Sequence, residues 1–222
     1  MAWSLMRTRT TRRGRPDPRA GPSLQPPCDG PTHAVELKRQ AARMPQVPLS
    51  GPSLRLRLFG VPVWFHWSFP GVGLGIGVPV GAVTFVAAAN LAFELFAWCL
   101  VAVSALALVH EVGHAAMARL LSLEVHALLF AAAGGCCIAE EAACAKHELA
   151  YSTAGLACQF VVLVATSLML IDALASPDLR CGAAVFTAVN LLLIVANCRP
   201  SAGSDGHRIA RALSRLAGAS EK

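Results

Sequence analysis

Charge is scarce in this sequence. Asp, Glu, Lys and Arg together make up 14% of its 222 residues, where a soluble domain carries about a quarter. Hydrophobic residues reach 55%, and the mean hydropathy is +0.54. This balance excludes an ordinary soluble globule, a disordered chain and a collagen-like chain. A secretory disulfide framework is also lacking. Eight cysteines are present, but several sit inside apolar runs, where a free thiol behaves as a small hydrophobe. Cys136, Cys137, Cys144 and His147 could be drawn as a soft metal site, but their spacing matches no finger or knuckle pattern. The N-terminus has no apolar signal-peptide core. There is no glycine-rich phosphate loop and no paired internal repeat of the transporter kind.

The charge that is present is clustered. Eleven of the 19 Lys and Arg residues lie between Arg7 and Arg57. This head is rich in Pro, Gly and Ser and has no apolar periodicity. It cannot bury enough surface to offset its ordering entropy, so residues 1–53 read as a disordered basic tail. Met44 is a plausible alternative start. A core over 54–216 and a short tail over 217–222 complete the expected organisation.

What is abundant is uninterrupted apolar sequence. No Asp, Glu, Lys or Arg occurs from Leu58 to Phe93. Phe69 to Asn90 is the best spanning window there, and Asn90 and Glu94 are expected to mark a turn. Further apolar runs cover Leu95 to Leu121, Leu149 to Ile171 and Cys181 to Cys198. A helical span needs about 20 apolar residues, so the expectation is an all-α polytopic membrane protein with about four transmembrane helices. With the basic head in the cytosol, 18 of the 19 Lys and Arg residues fall on cytosolic segments and only Arg180 falls outside. That asymmetry follows the positive-inside rule and puts both termini in the cytoplasm. It also accounts for the basic balance, so no nucleic-acid partner is expected.

Near the end of the second apolar run stands His110-Glu111-Val112-Gly113-His114. Helix positions i and i+4 share a face, so both imidazoles can reach one metal ion. Glu111 is placed beside them to take a proton from an attacking water. Zinc suits such ligands, and a catalytic site keeps a fourth position open. The bland alternative is a polar contact between helices. A third ligand is needed, and Asp205 is the best candidate. It follows Asn197-Cys198-Arg199-Pro200 in a stretch where Pro200, Gly203 and Gly206 let the backbone bend. The residues leave a second reading open, in which Asp205 caps a short basic helix from Gly206 to Leu216.

Taken together these residues resemble the site-2 protease family of intramembrane zinc metalloproteases. The likeness rests on four landmarks in order. They are Leu58-Phe-Gly-Val-Pro-Val-Trp-Phe-His-Trp-Ser68, His-Glu-x-Gly-His, Ala133-Gly134-Gly135 followed by Ala154-Gly155, and Asn197-x-x-Pro200 followed by Asp205-Gly206. The match covers roughly residues 54 to 216. It implies one Zn2+ per chain on His110, His114 and Asp205, Glu111 as general base, and Asn197 orienting or stabilising the polarised substrate carbonyl. It implies that His126 to Ile138 is a membrane-dipping hairpin between the second and third spans, presenting an edge to an extended substrate.

Four positions depart from the family pattern. Leu156 stands where the family usually has Pro, Gln159 where it has Asn, Ser204 where it has Leu, and Arg199 where an apolar residue is common. The chain resembles a bare catalytic core without a PDZ or CBS module. The expected partners are the lipid bilayer and a transmembrane protein substrate, in a bacterial inner membrane by analogy. The competing expectation is a non-catalytic or metal-handling membrane protein. Lower-ranked residues are His66 as an interfacial anchor, His126 and His147 as loop residues, and His207 as a neighbour of the site.

Overall fold

The computed structural model of the chain describes residues 51–85, 89–132, 134–172, 176–201 and 203–220. The basic head up to residue 50, Met44, Cys28, Ala133 and Lys222 lie outside the described residues. The described chain forms strands β1 (Ser53–Leu58) and β2 (Val61–His66), then helices α1 (Pro70–Phe85) and α2 (Ala89–Leu120). Strands β3 (Val125–Ala131) and β4 (Gly134–Ala139) follow, and then helices α3 (Ala145–Ile171), α4 (Pro177–Cys198) and α5 (Asp205–Ser220).

Three helices are long and apolar enough to cross a membrane: Leu91–Leu120 within α2, Ala145–Ile171 and Pro177–Cys198. The mostly helical, membrane-spanning character therefore stands, but the all-α expectation does not. The four strands form one sheet in the order β1-β2-β3-β4. β1 pairs antiparallel with β2, β2 runs parallel to β3, and β3 pairs antiparallel with β4. The expected hairpin near His126 to Ile138 is thus half of a larger sheet. The other half comes from the entry segment, where Leu54, Leu56 and Leu58 alternate with Arg55 and Arg57. That is the period of a strand.

Helix α1 covers 16 described residues and starts one residue after Phe69, where the first span was expected to begin. Phe65 pairs with Phe130 and Gly71 approaches Ala132, so β2 runs alongside the β3 limb before the helix begins. The turn expected at Asn90 and Glu94 is not there. Both residues are helical, because α2 starts at Ala89 and runs for 32 residues. Polar residues are tolerated near a helix start, where amides are unpaired and the dipole is positive.

Helix α2 runs through the middle of the bundle. One stretch packs Ala115 and Ala118 against Val61, Val63, Leu128 and Phe130 of the sheet. Another packs Cys99, Ala102, Val103 and Leu106 against Val189 of α4. Small residues set the spacing between α2 and α3. A Cβ on Gly113 would stand 2.9 Å from the Ala154 carbonyl oxygen and 3.2 Å from the Gly155 Cα. Close approach through small residues is how membrane helices gain packing energy without a hydrophobic drive between them. It also brings the polar face of α2 against α3.

Candidate metal centre

His110, Glu111 and His114 are all buried, at 6%, 5% and 4% exposure, on one largely apolar helix. Their two imidazoles face a third donor from a distant part of the chain. His110 Nε2 lies 2.9 Å from Asp205 Oδ2, and His114 Nε2 lies 3.2 Å from the same oxygen. The two Nε2 atoms are 3.0 Å apart. Among the described residues this is the one cluster of three His, Cys, Asp or Glu side chains whose donor atoms lie within 4.8 Å of one another. The alternative set of Cys136, Cys137, Cys144 and His147 is not brought together in that way.

Both rings are held from behind. His110 Nδ1 meets Gln159 Oε1 at 3.0 Å, and His114 Nδ1 meets the Tyr151 carbonyl oxygen at 2.8 Å. A carbonyl oxygen only accepts, so each Nδ1 carries its ring's proton. The neutral rings then turn two Nε2 lone pairs toward each other and toward a carboxylate oxygen. Three electron-rich atoms in mutual contact call for a cation between them. Donors about 2.0–2.1 Å from a tetrahedral zinc stand roughly 3.3 Å apart, close to the observed separations. The donor set fits zinc, and the partners on Nδ1 are of the kind that orient metal-binding histidines.

Gln159 was a departure from the family pattern, yet it supplies one of these partners. It is 1% exposed, and Asn190 of α4 donates to its backbone carbonyl at 2.8 Å. Ser204 was another departure. Its hydroxyl accepts from the His207 amide at 3.3 Å and donates to the carbonyls of Ser201, at 2.7 Å, and Arg199. Ser204 therefore caps α5, and the Asp205 carboxylate, at the first helical residue, turns to the histidines instead.

Glycines let the backbone come close at this centre. A Cβ on Gly155 would lie 2.6 Å from His114 Nε2 and 2.7 Å from His110 Cε1. One on Gly135 would lie 2.5 Å from Glu111 Cγ, so β4 presses its bare backbone on the carboxylate. The Cys137 backbone amide hydrogen-bonds to Glu111. One on Gly206 would strike the Cys198 carbonyl oxygen at 2.1 Å, because the start of α5 folds across the end of α4. Gly134 is in the described chain, while its neighbour Ala133 is not.

The three donors and Glu111 line a cavity of about 90 Å³ together with Gly135, Cys136, Cys137, Tyr151, Asn197 and Arg208. It has room for a few waters and not for a peptide. A second cavity of about 510 Å³ adjoins it between β4 and α5, sharing Cys136, Cys137, Tyr151, Gly203 and Arg208. Asn197 thus reaches the metal cavity from the end of α4. His207 is exposed and lines only the larger space. His66 contacts Ser68 Oγ at 2.6 Å, and His126 lies 3.8 Å from Glu124, both away from the centre. Burial pushes the Cys137 thiol up to about 12 and raises Cys136 as well, so neither is a thiolate nucleophile at neutral pH.

The residues that sequence reasoning missed are Gln159, Tyr151 and Glu148. Tyr151 packs its ring 5.0 Å from His114 and donates its hydroxyl to the Cys137 carbonyl at 3.2 Å, tying α3 to β4. Glu148 takes Arg211 and Arg215 of α5, the latter at 3.0 Å, which docks the helix that carries Asp205. Helical spacing puts Arg208, Arg211 and Arg215 on one face of α5.

No protein-family model and no curated protein matches the sequence. A solved structure does resemble the fold: the site-2 protease from Methanocaldococcus jannaschii, at 22% identity, with 73% of this chain and 71% of that chain covered and a TM-score of 0.52. The chain shares the fold of a site-2 protease. That likeness and the apolar helices support an integral membrane protein.

Proposed function

We propose that this chain is a zinc-dependent intramembrane endopeptidase that cleaves a peptide bond in or near a transmembrane segment of another protein. The observation that carries this reading is the convergence of His110, His114 and Asp205 around one point, with the Glu111 carboxylate lining the same small cavity. A pure binding site does not need a carboxylic base beside its ligands. His110, His114 and Asp205 would hold one Zn2+, which would supply a Lewis acid and lower the pKa of a water. Glu111 would take that water's proton and later deliver it to the leaving amine. Asn197, on the cavity wall, would donate its amide to the polarised carbonyl oxygen.

The sheet supports a route for a substrate. β4 has β3 on one side and the cavities on the other. A helical segment must unwind before its amide is reachable, and an extended one can add to the free edge of β4. The larger cavity beside that edge has room for it. The clustering of Lys and Arg supports an orientation with both termini in the cytoplasm.

Zinc per chain in the detergent-purified protein tests the reading, with wild type set against Asp205→Ala and Glu111→Gln. About one zinc is expected in wild type, a marked loss in Asp205→Ala, and retention in Glu111→Gln. In a cleavage assay Glu111→Gln should lose roughly 10²–10⁴-fold in rate. Absence of zinc from the supplemented wild type would overturn the enzyme reading in favour of a non-catalytic membrane protein.

A further inference from the structure

The opposite edge of the sheet carries a second feature, independent of catalysis. The turn between β1 and β2 has two residues with positive φ, Phe59 at 50° and Gly60 at 84°. Two-residue hairpin turns of this hand favour Asn-Gly, because only small or locally bonding residues reach this region without strain. Here the first position is a phenylalanine, and it is 79% exposed. A bulky aromatic in a strained conformation at a bare tip points to a use outside the folded chain.

The surroundings say what that use is. Arg119, in the last turn of α2, donates to the Phe59 carbonyl oxygen at 2.6 Å, so the tip sits at one membrane end of a spanning helix. Leu120 beside it is 78% exposed. Arg55 lies over the Trp64 ring at 3.9 Å, and Arg57 pairs across the hairpin with Pro62, nearer the tip. Among the described residues none of these three arginines makes an ion pair. The acids at this end of the sheet, Glu124 and Glu140, stand on the β3–β4 side, where the Glu124 amide donates to Glu140. An apolar tip at a helix end, beside cations with no acidic partner among the described residues, is the pattern of an interfacial anchor.

We propose that the β1–β2 turn is a lipid-binding wedge. Phe59 and Leu120 enter the acyl region of the adjacent leaflet, and Arg55, Arg57 and Arg119 hold the phosphates of anionic phospholipids. The wedge fixes the depth of β2, and through the sheet the depth of β4 beside the metal cavity.

The test uses full-length protein in micelles holding equal amounts of phosphatidylglycerol and phosphatidylcholine. Mass spectrometry then counts the phospholipid retained after purification. Because the basic head also attracts anions, the readout is the change on substitution. Each of Arg55→Gln and Arg57→Gln should lower the preference for phosphatidylglycerol by about fivefold, the factor for roughly 1 kcal/mol per basic residue, with zinc content unchanged. An unchanged preference in the double variant overturns the phosphate contact. Insertion is read separately. Phe59→Trp is made with Trp3, Trp64, Trp67 and Trp98 changed to Phe, and reconstituted in 3:1 phosphatidylcholine–phosphatidylglycerol vesicles with brominated chains. The introduced indole should be quenched. A water-exposed, unquenched emission overturns the wedge and leaves the tip as a surface for a protein partner. If the multiple variant does not fold, the lipid count on the arginine variants still decides.

Discussion

The two edges of the four-stranded sheet are made of opposite materials. β4 begins Gly134-Gly-Cys-Cys137 and lays bare backbone on a buried carboxylate. β1 reads Ser53-Leu-Arg-Leu-Arg-Leu58, with four of its six residues exposed. One edge serves chemistry and must give up side chains so that the backbone can approach. The other serves the surroundings and keeps large side chains outward. The difference teaches where substitutions will hurt. At β4 and its partners a single added methyl group collides with a functional atom, while at β1 the same change meets open space.

The largest effect should come from adding that methyl group on the helix facing the metal. Gly155→Ala places a Cβ within 3 Å of both imidazoles. Overpacking costs typically 1–3 kcal/mol, and here it falls on the metal-binding atoms. Zinc affinity measured by chelator competition should drop by about 100-fold. Wild-type affinity in this variant would mean that the α2–α3 spacing is looser than described. Gly60→Ala, at the β1–β2 turn, meets nothing within 4 Å and should leave zinc affinity unchanged.

The next effect sharpens the contrast within the metal centre. Gln159→Leu keeps the volume of the side chain but removes the acceptor for His110 Nδ1. Loss of such an orienting partner typically costs 10–100-fold in metal affinity. Gln159→Glu, which keeps an acceptor, should stay within a few-fold of wild type. Equal affinity in Gln159→Leu and wild type would show that packing alone orients the ring.

A smaller effect is expected at the docking of α5. Glu148 is buried, but Arg211 and Arg215 are about half exposed, at 51% and 49%. Water screens such pairs, and exposed ion pairs contribute about 1 kcal/mol or less. Glu148→Gln should therefore weaken zinc binding only a few-fold, through the freedom it gives Asp205. It should also make the effect of salt on zinc affinity smaller than in wild type.

These expectations depend on features that were unequally legible in the sequence. The apolar runs gave the spans, and the His-Glu-x-x-His spacing put His110 and His114 on one face. The landmark glycines could be noticed in sequence, but their reason appears only in three dimensions. Gly135 and Gly155 are glycines because Glu111 and the imidazoles occupy the space of a Cβ. Gln159 and Ser204 read as departures because a pattern records residue types and not hydrogen bonds. The β1–β2 half of the sheet was missed although Leu and Arg alternate from Leu54 to Leu58, because five alternating residues are a weak signal beside a long apolar run. The first apolar window was placed from Phe69, and α1 starts at Pro70.

The smallest effect has the opposite sign and bears directly on the comparison of edges. Phe59 occupies the left-handed region, which costs an ordinary side chain roughly 1–2 kcal/mol, whereas Asn is among the residues that enter it most readily. Phe59 is largely exposed, so burial does little to offset the strain. Phe59→Asn should therefore stabilise the detergent-solubilised protein, by about 1 kcal/mol, or a rise of roughly 2–4 °C in Tm for a chain of this size. In phosphatidylglycerol-containing vesicles the gain should shrink or reverse, because the wild-type ring then has acyl chains to bury against. A side chain that costs stability in micelles and returns it in a bilayer is fitted to the membrane and not to the fold. A destabilised Phe59→Asn in micelles would mean that the ring packs within the protein, and the β1 edge would then be an ordinary structural edge.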